Sequence, residues 1–144
     1  MPSARNFFTE EEQQRLVKAI EAAELKTSGE IRLHLENICL GDEVKAARGI
    51  FKRLKMHLTR ERNGVLIYLA VKSRKMAMVG DEGIHQKLGQ AYWDQTVQEL
   101  LSGFKSDKKA EALEHCILDL GERLASFFPR QNDDTNELTN SISY

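Results

Sequence analysis

The spacing of apolar residues in the first half of the chain predicts a helix, a strand and a second helix. Thr9 and Glu12 have the spacing of a capping box, and apolar residues follow at helical intervals, which predicts a helix over about residues 9–25. Residues 30–36, EIRLHLE, alternate apolar and polar positions, which is the period of a half-exposed strand. Asp42 can cap the next helix, which carries one apolar stripe.

The second half of the chain predicts a hairpin followed by helices. Residues 65–71, VLIYLAV, are apolar at every position, which is typical of a central strand covered by helices on both faces. A short polar segment separates them from another apolar run at residues 75–79, so these two strands are expected to form an antiparallel hairpin. Helical spacing resumes after Ile84 and again over residues 107–128, where Pro129 ends the last helix.

These elements predict a single α/β domain. It is an αβα sandwich with a mixed sheet of three or four strands and helices on both faces. The order strand, helix, strand makes a right-handed parallel crossover the expected connection between the first two strands. The domain is expected to span residues 1–129. Residues 130–144 are polar and without periodicity, so they are predicted to form a disordered tail.

The composition excludes several classes of protein. The chain has 144 residues, of which 41% are hydrophobic and 30% charged, and its net charge of -1 lacks the basic excess of a nucleic-acid-binding surface. No apolar run approaches the roughly 18 residues of a membrane span, and the N-terminus has no secretory apolar core. Cys39 and Cys116 have neither metal-binding nor redox spacing. We therefore expect a soluble, cytoplasmic protein with reduced thiols.

The segment that follows the hairpin, GDEG at residues 80–83, is the main candidate for a functional site. If the hairpin turn is centred on Ser73, Tyr68 lies across from Met78, and the glycine-acid segment comes beside residues 63–64. The parallel first strand begins at the same end of the sheet. Three separate chain turns are therefore expected to meet there.

The side chains expected at this end of the sheet suit a hard divalent cation. Carboxylate and amide oxygens on flexible backbone are ligands that Ca²⁺ and Mg²⁺ prefer, and close acids repel one another unless a cation or hydrogen bonds compensate. The predicted metal ligands are Asn63, Asp81, Glu82 and Glu30. The residues alone also allow a simpler interpretation, in which the glycines shape a turn and Asp81 caps the following helix.

Three segments resemble the TPM-domain family, which includes thylakoid-lumen phosphatase-like proteins and a receptor-auxiliary protein. They are TSGEIRLHLE, RNGVLIYLAVKSRKMAMVGDEGIHQKLG and YWDQ, and the resemblance covers about residues 8–128. It implies an αβα sandwich with a shallow acidic cleft that binds a divalent cation, and an acid phosphatase activity in plant members. The family's asparagine-glycine pair corresponds to residues 63–64 and its glycine-acid segment to residues 80–83. Many relatives have an acid where this chain has Arg62.

Other side chains are weaker candidates. His57 and His85 could both approach the Asp81 end of the sheet, where they would suit Zn²⁺. His34 is expected to be a half-exposed strand residue, and Cys116 a buried, inert thiol on an apolar helix stripe. Arg60 or Arg62 could hold a phosphate oxygen, although a solvated charged face is the simpler interpretation.

Three functions are compatible with these features. The favoured hypothesis is an accessory module that binds a divalent cation and an unidentified protein partner. The second is a weak metal-assisted phosphomonoesterase in which Asp81 or Glu82 serves as base or nucleophile. The third is an interaction domain without a metal, whose acidic turn only caps a helix.

Overall fold

The computed structural model describes residues 3–105, 107–130 and 140–144. Its elements follow the predicted order. The helices and strands, in chain order, are α1 (Glu10–Glu24), β1 (Glu30–Glu36), α2 (Glu43–Arg53), β2 (Gly64–Ala70), β3 (Lys75–Gly80), α3 (Glu82–Leu88), α4 (Gln90–Gly103) and α5 (Lys109–Phe127), with short 3-10 turns at Ala4–Asn6 and Met56–Leu58.

The described residues form one three-stranded mixed sheet with β2 at its centre. β1 pairs with β2 in parallel, and β2 pairs with β3 in antiparallel. All seven residues of β2 are buried, because apolar side chains cover the strand on both faces. One core lies between the sheet and α1, α4 and α5, and a smaller core lies between the sheet and α2. The predicted αβα sandwich is thereby confirmed.

The hairpin register differs from the prediction by one residue. Tyr68 pairs with Ala77, not with Met78. The connection between the paired residues Ala70 and Lys75 has four residues and includes Arg74 in the left-handed region, with φ of 54°, so the turn is not centred on one residue. Because strand side chains alternate, the correct register puts Tyr68 in the α2 core and Met78 in the opposite core.

His34 is fully buried, although the alternation in β1 predicts a half-exposed residue. Its Nδ1 lies 2.8 Å from the Ser143 hydroxyl, and its ring stacks on the Tyr68 ring at a centroid distance of 6.0 Å. Burial lowers the pKa of His34, which favours the neutral imidazole. The second face of β1 is therefore covered, and the prediction of a half-exposed strand is wrong at this position.

The described residues of the C-terminal segment contact the sheet and α1. Residues 131–139 of the predicted disordered tail lie outside the described residues, and Ser143 lies against the outer edge of β1. The Ser143 N–H donates to the Leu33 carbonyl, and the Leu35 N–H donates to the Ser143 carbonyl, both at 2.9 Å. The Tyr144 hydroxyl donates to Gln13 at 3.2 Å. An edge strand offers main-chain groups that a polar segment can pair with, and hydrophobic patterning does not detect such pairing.

Two glycines inside helices give a matched test of the α1–α5 contact. A Cβ on Gly121 would lie 2.6 Å from the Cβ of Ala23, whereas a Cβ on Gly49 in α2 would meet nothing within 4 Å. We expect Gly121→Ala to lower the free energy of unfolding by about 1–3 kcal/mol because the helices must separate. The control Gly49→Ala should raise it by about 0.5–1 kcal/mol through helix propensity. Urea denaturation measures both, and equal effects would contradict the tight crossing.

Candidate functional site

The chain turns before β2 and after β3 meet at one end of the sheet, as the sequence predicts. The Asp81 N–H donates to the Gly64 carbonyl at 2.8 Å, and the Glu30 N–H donates to the Asn63 carbonyl at 3.4 Å. The Gly83 N–H donates to the Arg62 carbonyl at 2.8 Å, which joins the start of α3 to the loop before β2. The backbones that carry all four predicted metal ligands are thus adjacent.

Arg62 and Asp81 form a bidentate ion pair at this end of the sheet. The Arg62 Nε and Nη2 atoms donate to the two carboxylate oxygens of Asp81 at 2.9 and 3.0 Å. The Asp81 side chain is only 5% exposed, whereas Arg62 is 46% exposed. Hydrogen bonding to Asp81 raises the pKa of Arg62. A guanidinium therefore supplies the positive charge that the sequence assigned to a metal ion.

Local backbone geometry directs both partners of this pair. Asp81 is the N-cap of α3, where its side chain accepts from the Glu82 N–H at 2.7 Å, so the capping interpretation of this acid is correct. Arg62 has φ of 53°, in the left-handed region that few residues other than glycine adopt. Glu82 is exposed and lies 3.7 Å from the Arg62 guanidinium. One arginine thus contacts both candidate acids.

The Asn63 amide belongs to a separate hydrogen-bond cluster. Asn63 is buried, and its Nδ2 donates to the Ser28 hydroxyl and to the Glu61 carboxylate, both at 3.3 Å. The Ser28 hydroxyl also donates to Glu61. Asn63 and Asp81 are therefore neighbours through their backbones, while their side chains have different partners.

Buried carboxylates lie where β1 begins. Glu24, at the end of α1, and Glu30, at the start of β1, are both buried. One oxygen of Glu24 accepts from the Ile31 N–H at 2.8 Å. Burial raises the pKa of Glu24 from 4.5 to about 8, with a smaller contribution in the same direction from the charge of Glu30. Glu24 is therefore largely protonated in the folded protein at neutral pH.

In this arrangement the four predicted ligands do not fit a divalent cation. Both Asp81 oxygens accept hydrogen bonds from Arg62, and Asn63, whose Nδ2 donates to Ser28 and Glu61, belongs to a separate cluster. Among the residues that the structure describes, no group of three His, Cys, Asp or Glu side chains could hold a metal ion. The residues would fit a cation only if Arg62 released Asp81.

A cleft of about 500 Å³ opens beside the Arg62–Asp81 pair, between α2 and α3. His57 and His85 both line it, as the sequence suggested, and their Nδ1 atoms are buried without a hydrogen-bond partner in the described part of the chain. Sequence reasoning missed Arg48 and Lys52, although their spacing of four residues puts both on one face of α2. The full lining is Arg48, Phe51, Lys52, His57, Arg62, Val79, Gly80, Asp81, Glu82 and His85.

Neither cysteine takes part in this site. Cys116 is half-buried on α5, and burial raises the pKa of its thiol to about 11, which agrees with an inert thiol. Cys39 is buried in the loop after β1, where its thiol donates to the Gly41 carbonyl.

The fold and the cleft define a single-domain α/β protein with a polar site at one end of a three-stranded sheet. A family model described as TPM domain (TPM_phosphatase) matches residues 3–123, and the chain belongs to this family. None of the helices among the described residues combines the length and the apolar character that crossing a membrane requires.

Among the solved structures that are similar to this chain, two illustrate the likeness. The NMR structure of the BA42 protein from the psychrophilic bacterium Bizionia argentinensis is 41% identical, with a TM-score of 0.86 over 95% of this chain and 94% of that chain. The N-terminal domain of a protein from P. gingivalis is 14% identical, with a TM-score of 0.67 over 87% of this chain and 82% of that chain, and shows the fold alone. No curated protein matches the chain.

The raised pKa of Glu24 predicts how stability depends on pH. The folded protein holds a proton that the unfolded chain releases above pH 4.5, so stability falls as pH rises from 4.5 to about 8. The slope approaches about 1.4 kcal/mol per pH unit. Glu24→Gln should flatten this fall, because it stays neutral and can still accept from Ile31. Urea denaturation between pH 5 and 8 measures the effect, with Glu11→Gln, an exposed acid of the same helix, as control. Parallel curves for Glu24→Gln and the unchanged chain would contradict it.

Proposed function

We propose that this TPM domain is an accessory module that binds Ca²⁺ or Mg²⁺ through Asp81 and Glu82 in exchange for the Arg62 guanidinium. The observation that carries the proposal is the ion pair between a nearly buried carboxylate and a half-exposed arginine. Because Arg62 contacts both acids, its release would free two adjacent carboxylates together. An accessory role implies a protein partner for the module.

The chemistry of this end of the sheet supports an exchange of one cation for another. Asp81 is buried, so its negative charge needs a compensating positive charge whether or not a metal is bound. Arg62 can turn into solvent, where water hydrates its charge, because 46% of its side chain is already exposed. Carboxylate oxygens with added waters are an ordinary ligand set for Ca²⁺ and Mg²⁺. Asn63 and Glu30 would support this set indirectly. The Glu30 N–H donates to the Asn63 carbonyl, and the Asp81 N–H donates to the carbonyl of the next residue, Gly64.

Removing the competing arginine tests this proposal directly. We expect Arg62→Ala to tighten Ca²⁺ or Mg²⁺ binding by roughly 10- to 100-fold, because a charge-assisted bidentate contact no longer competes. Asp81→Asn should abolish the binding. Isothermal titration measures both, and Arg53→Ala removes one exposed positive charge elsewhere as a control. Equal affinity of Arg62→Ala and Arg53→Ala would contradict the exchange.

A second candidate function is a weak phosphomonoesterase, and the cationic lining of the cleft favours it. Arg48, Lys52 and Arg62 line the same space as His57 and His85, and this set suits the oxygens of a phosphate group. Asp81 would act as the base or nucleophile. Its carboxylate would first have to leave Arg62.

An aryl phosphate at acidic pH tests the second function. Turnover should be lost in Asp81→Asn and fall at least about tenfold in Arg48→Ala, since the arginine holds the phosphate. Turnover that survives Asp81→Asn would remove this acid from the mechanism. An unaffected Arg48→Ala would show that the substrate lies outside the cleft.

A further inference from the structure

A second cavity lies at the opposite end of the sheet from the Arg62–Asp81 pair. Its volume is about 490 Å³, within the range of cavities that hold small ligands. It is bounded by the hairpin, the N-terminal segment and the connection between α4 and α5. Its apolar walls are Phe7, Leu69, Val71, Leu101 and Phe104, which all belong to the larger core or pack against it.

The remaining residues that line this cavity are all positively charged. They are Arg74 in the hairpin turn, Lys105 after α4 and Lys109 at the start of α5. Arg74 and Lys105 are exposed and Lys109 is half-buried, whereas Leu69 and Val71 are buried, so the charged residues lie nearer to solvent than the floor of the cavity. Among the residues that the structure describes, no carboxylate lines this cavity.

This division of charge selects one class of ligand. Three cations brought to one opening repel one another unless an anion compensates them. The apolar walls favour a hydrocarbon body, because its removal from water is the main source of binding free energy. A cationic or neutral polar molecule has no favourable charge interaction with the three basic residues. A small hydrophilic anion has no hydrocarbon surface to bury against the apolar walls. The two requirements are met together by a molecule with one hydrocarbon chain and one anionic head.

We infer that this cavity binds a free single-chain amphiphilic anion of the fatty-carboxylate type. Its chain lies against Leu69, Val71 and Phe104, and its head group contacts Arg74, Lys105 and Lys109. The site is independent of the proposed cation exchange, since the two lie at opposite ends of β2 and share no residue.

A chain-length series tests the apolar part of this inference. Isothermal titration of the full chain with hexanoate, octanoate and decanoate should show affinity rising about fourfold per added CH₂ group while the chain still enters the cavity. Octylammonium, which has the opposite head charge, should not bind. Leu101→Trp fills the cavity at a half-buried position and should abolish octanoate binding without lowering the melting temperature. Affinity that is independent of chain length, or equal for octanoate and octylammonium, would overturn the inference.

Variants that remove positive charges test the contact between the head group and the basic residues of the cavity. The triple variant Arg74→Gln, Lys105→Gln, Lys109→Gln should weaken octanoate binding by at least about tenfold, because it removes the charged donors to the head group. The matched control Lys18→Gln, Lys45→Gln, Lys72→Gln changes the net charge equally at exposed positions outside the cavity, and should bind within about twofold of the unchanged chain. Equal affinities of the two triple variants would overturn the inference.

A vesicle sedimentation experiment distinguishes binding of a free amphiphile from binding of a membrane lipid. The chain should not sediment with phosphatidylglycerol vesicles, because the cavity accepts one free chain. Sedimentation with these vesicles in the absence of octanoate binding would overturn the inference and identify a membrane-docking surface instead.

Discussion

The burial of β2 on both faces is the constraint on which the rest of this structure depends. Every residue of the strand is buried, so its alternate side chains must serve two separate cores. The hairpin to β3 has to keep the same alternation, and a register slip of one residue would send Met78 into the wrong core. The register then determines where β3 ends, and it brings Asp81 against Gly64. The position of the candidate site therefore follows from the strand register that the two cores require.

At that end of the sheet, the Arg62 side chain supplies the positive charge beside Asp81. A buried carboxylate needs a counter-charge, and here the loop before β2 provides it within the chain. The left-handed backbone at Arg62 costs conformational energy, which the bidentate contact with Asp81 helps to offset. The fold is shared with a structure 41% identical to this chain, and the counter-charge of Asp81 comes from Arg62, the residue that precedes the asparagine-glycine pair. Local sequence here is more informative than the fold.

Local patterns were enough to predict most of the fold. Capping at Thr9 and Asp42, the alternation of β1 and the apolar run of β2 each involve residues close in sequence, and the structure has the corresponding elements. The hairpin register was missed because it depends on the turn backbone at Arg74, which side-chain polarity does not specify. The burial of His34 was missed because Ser143, which contacts it, is more than 100 residues away.

For the candidate site, the sequence located the meeting point of the loops but not the contacts within it. Adjacent strands determine that Asp81 lies beside Gly64, and simple counting along the hairpin found this to within one residue. Which acid pairs with which base depends on side-chain directions that counting cannot provide. Asn63 illustrates the difference, since its backbone contacts Glu30 while its amide contacts Glu61.

The short segment around Ser143 has a consequence for the behaviour of the protein at high concentration. An open strand edge is a template on which another molecule can add its own strand, and this is a common route to aggregation. The main-chain groups of Leu33 and Leu35 are occupied by Ser143, and the Tyr144 ring lies 4.7 Å from the Arg5 guanidinium, which helps to hold the segment in place. The segment thus shields β1 from pairing with a second molecule.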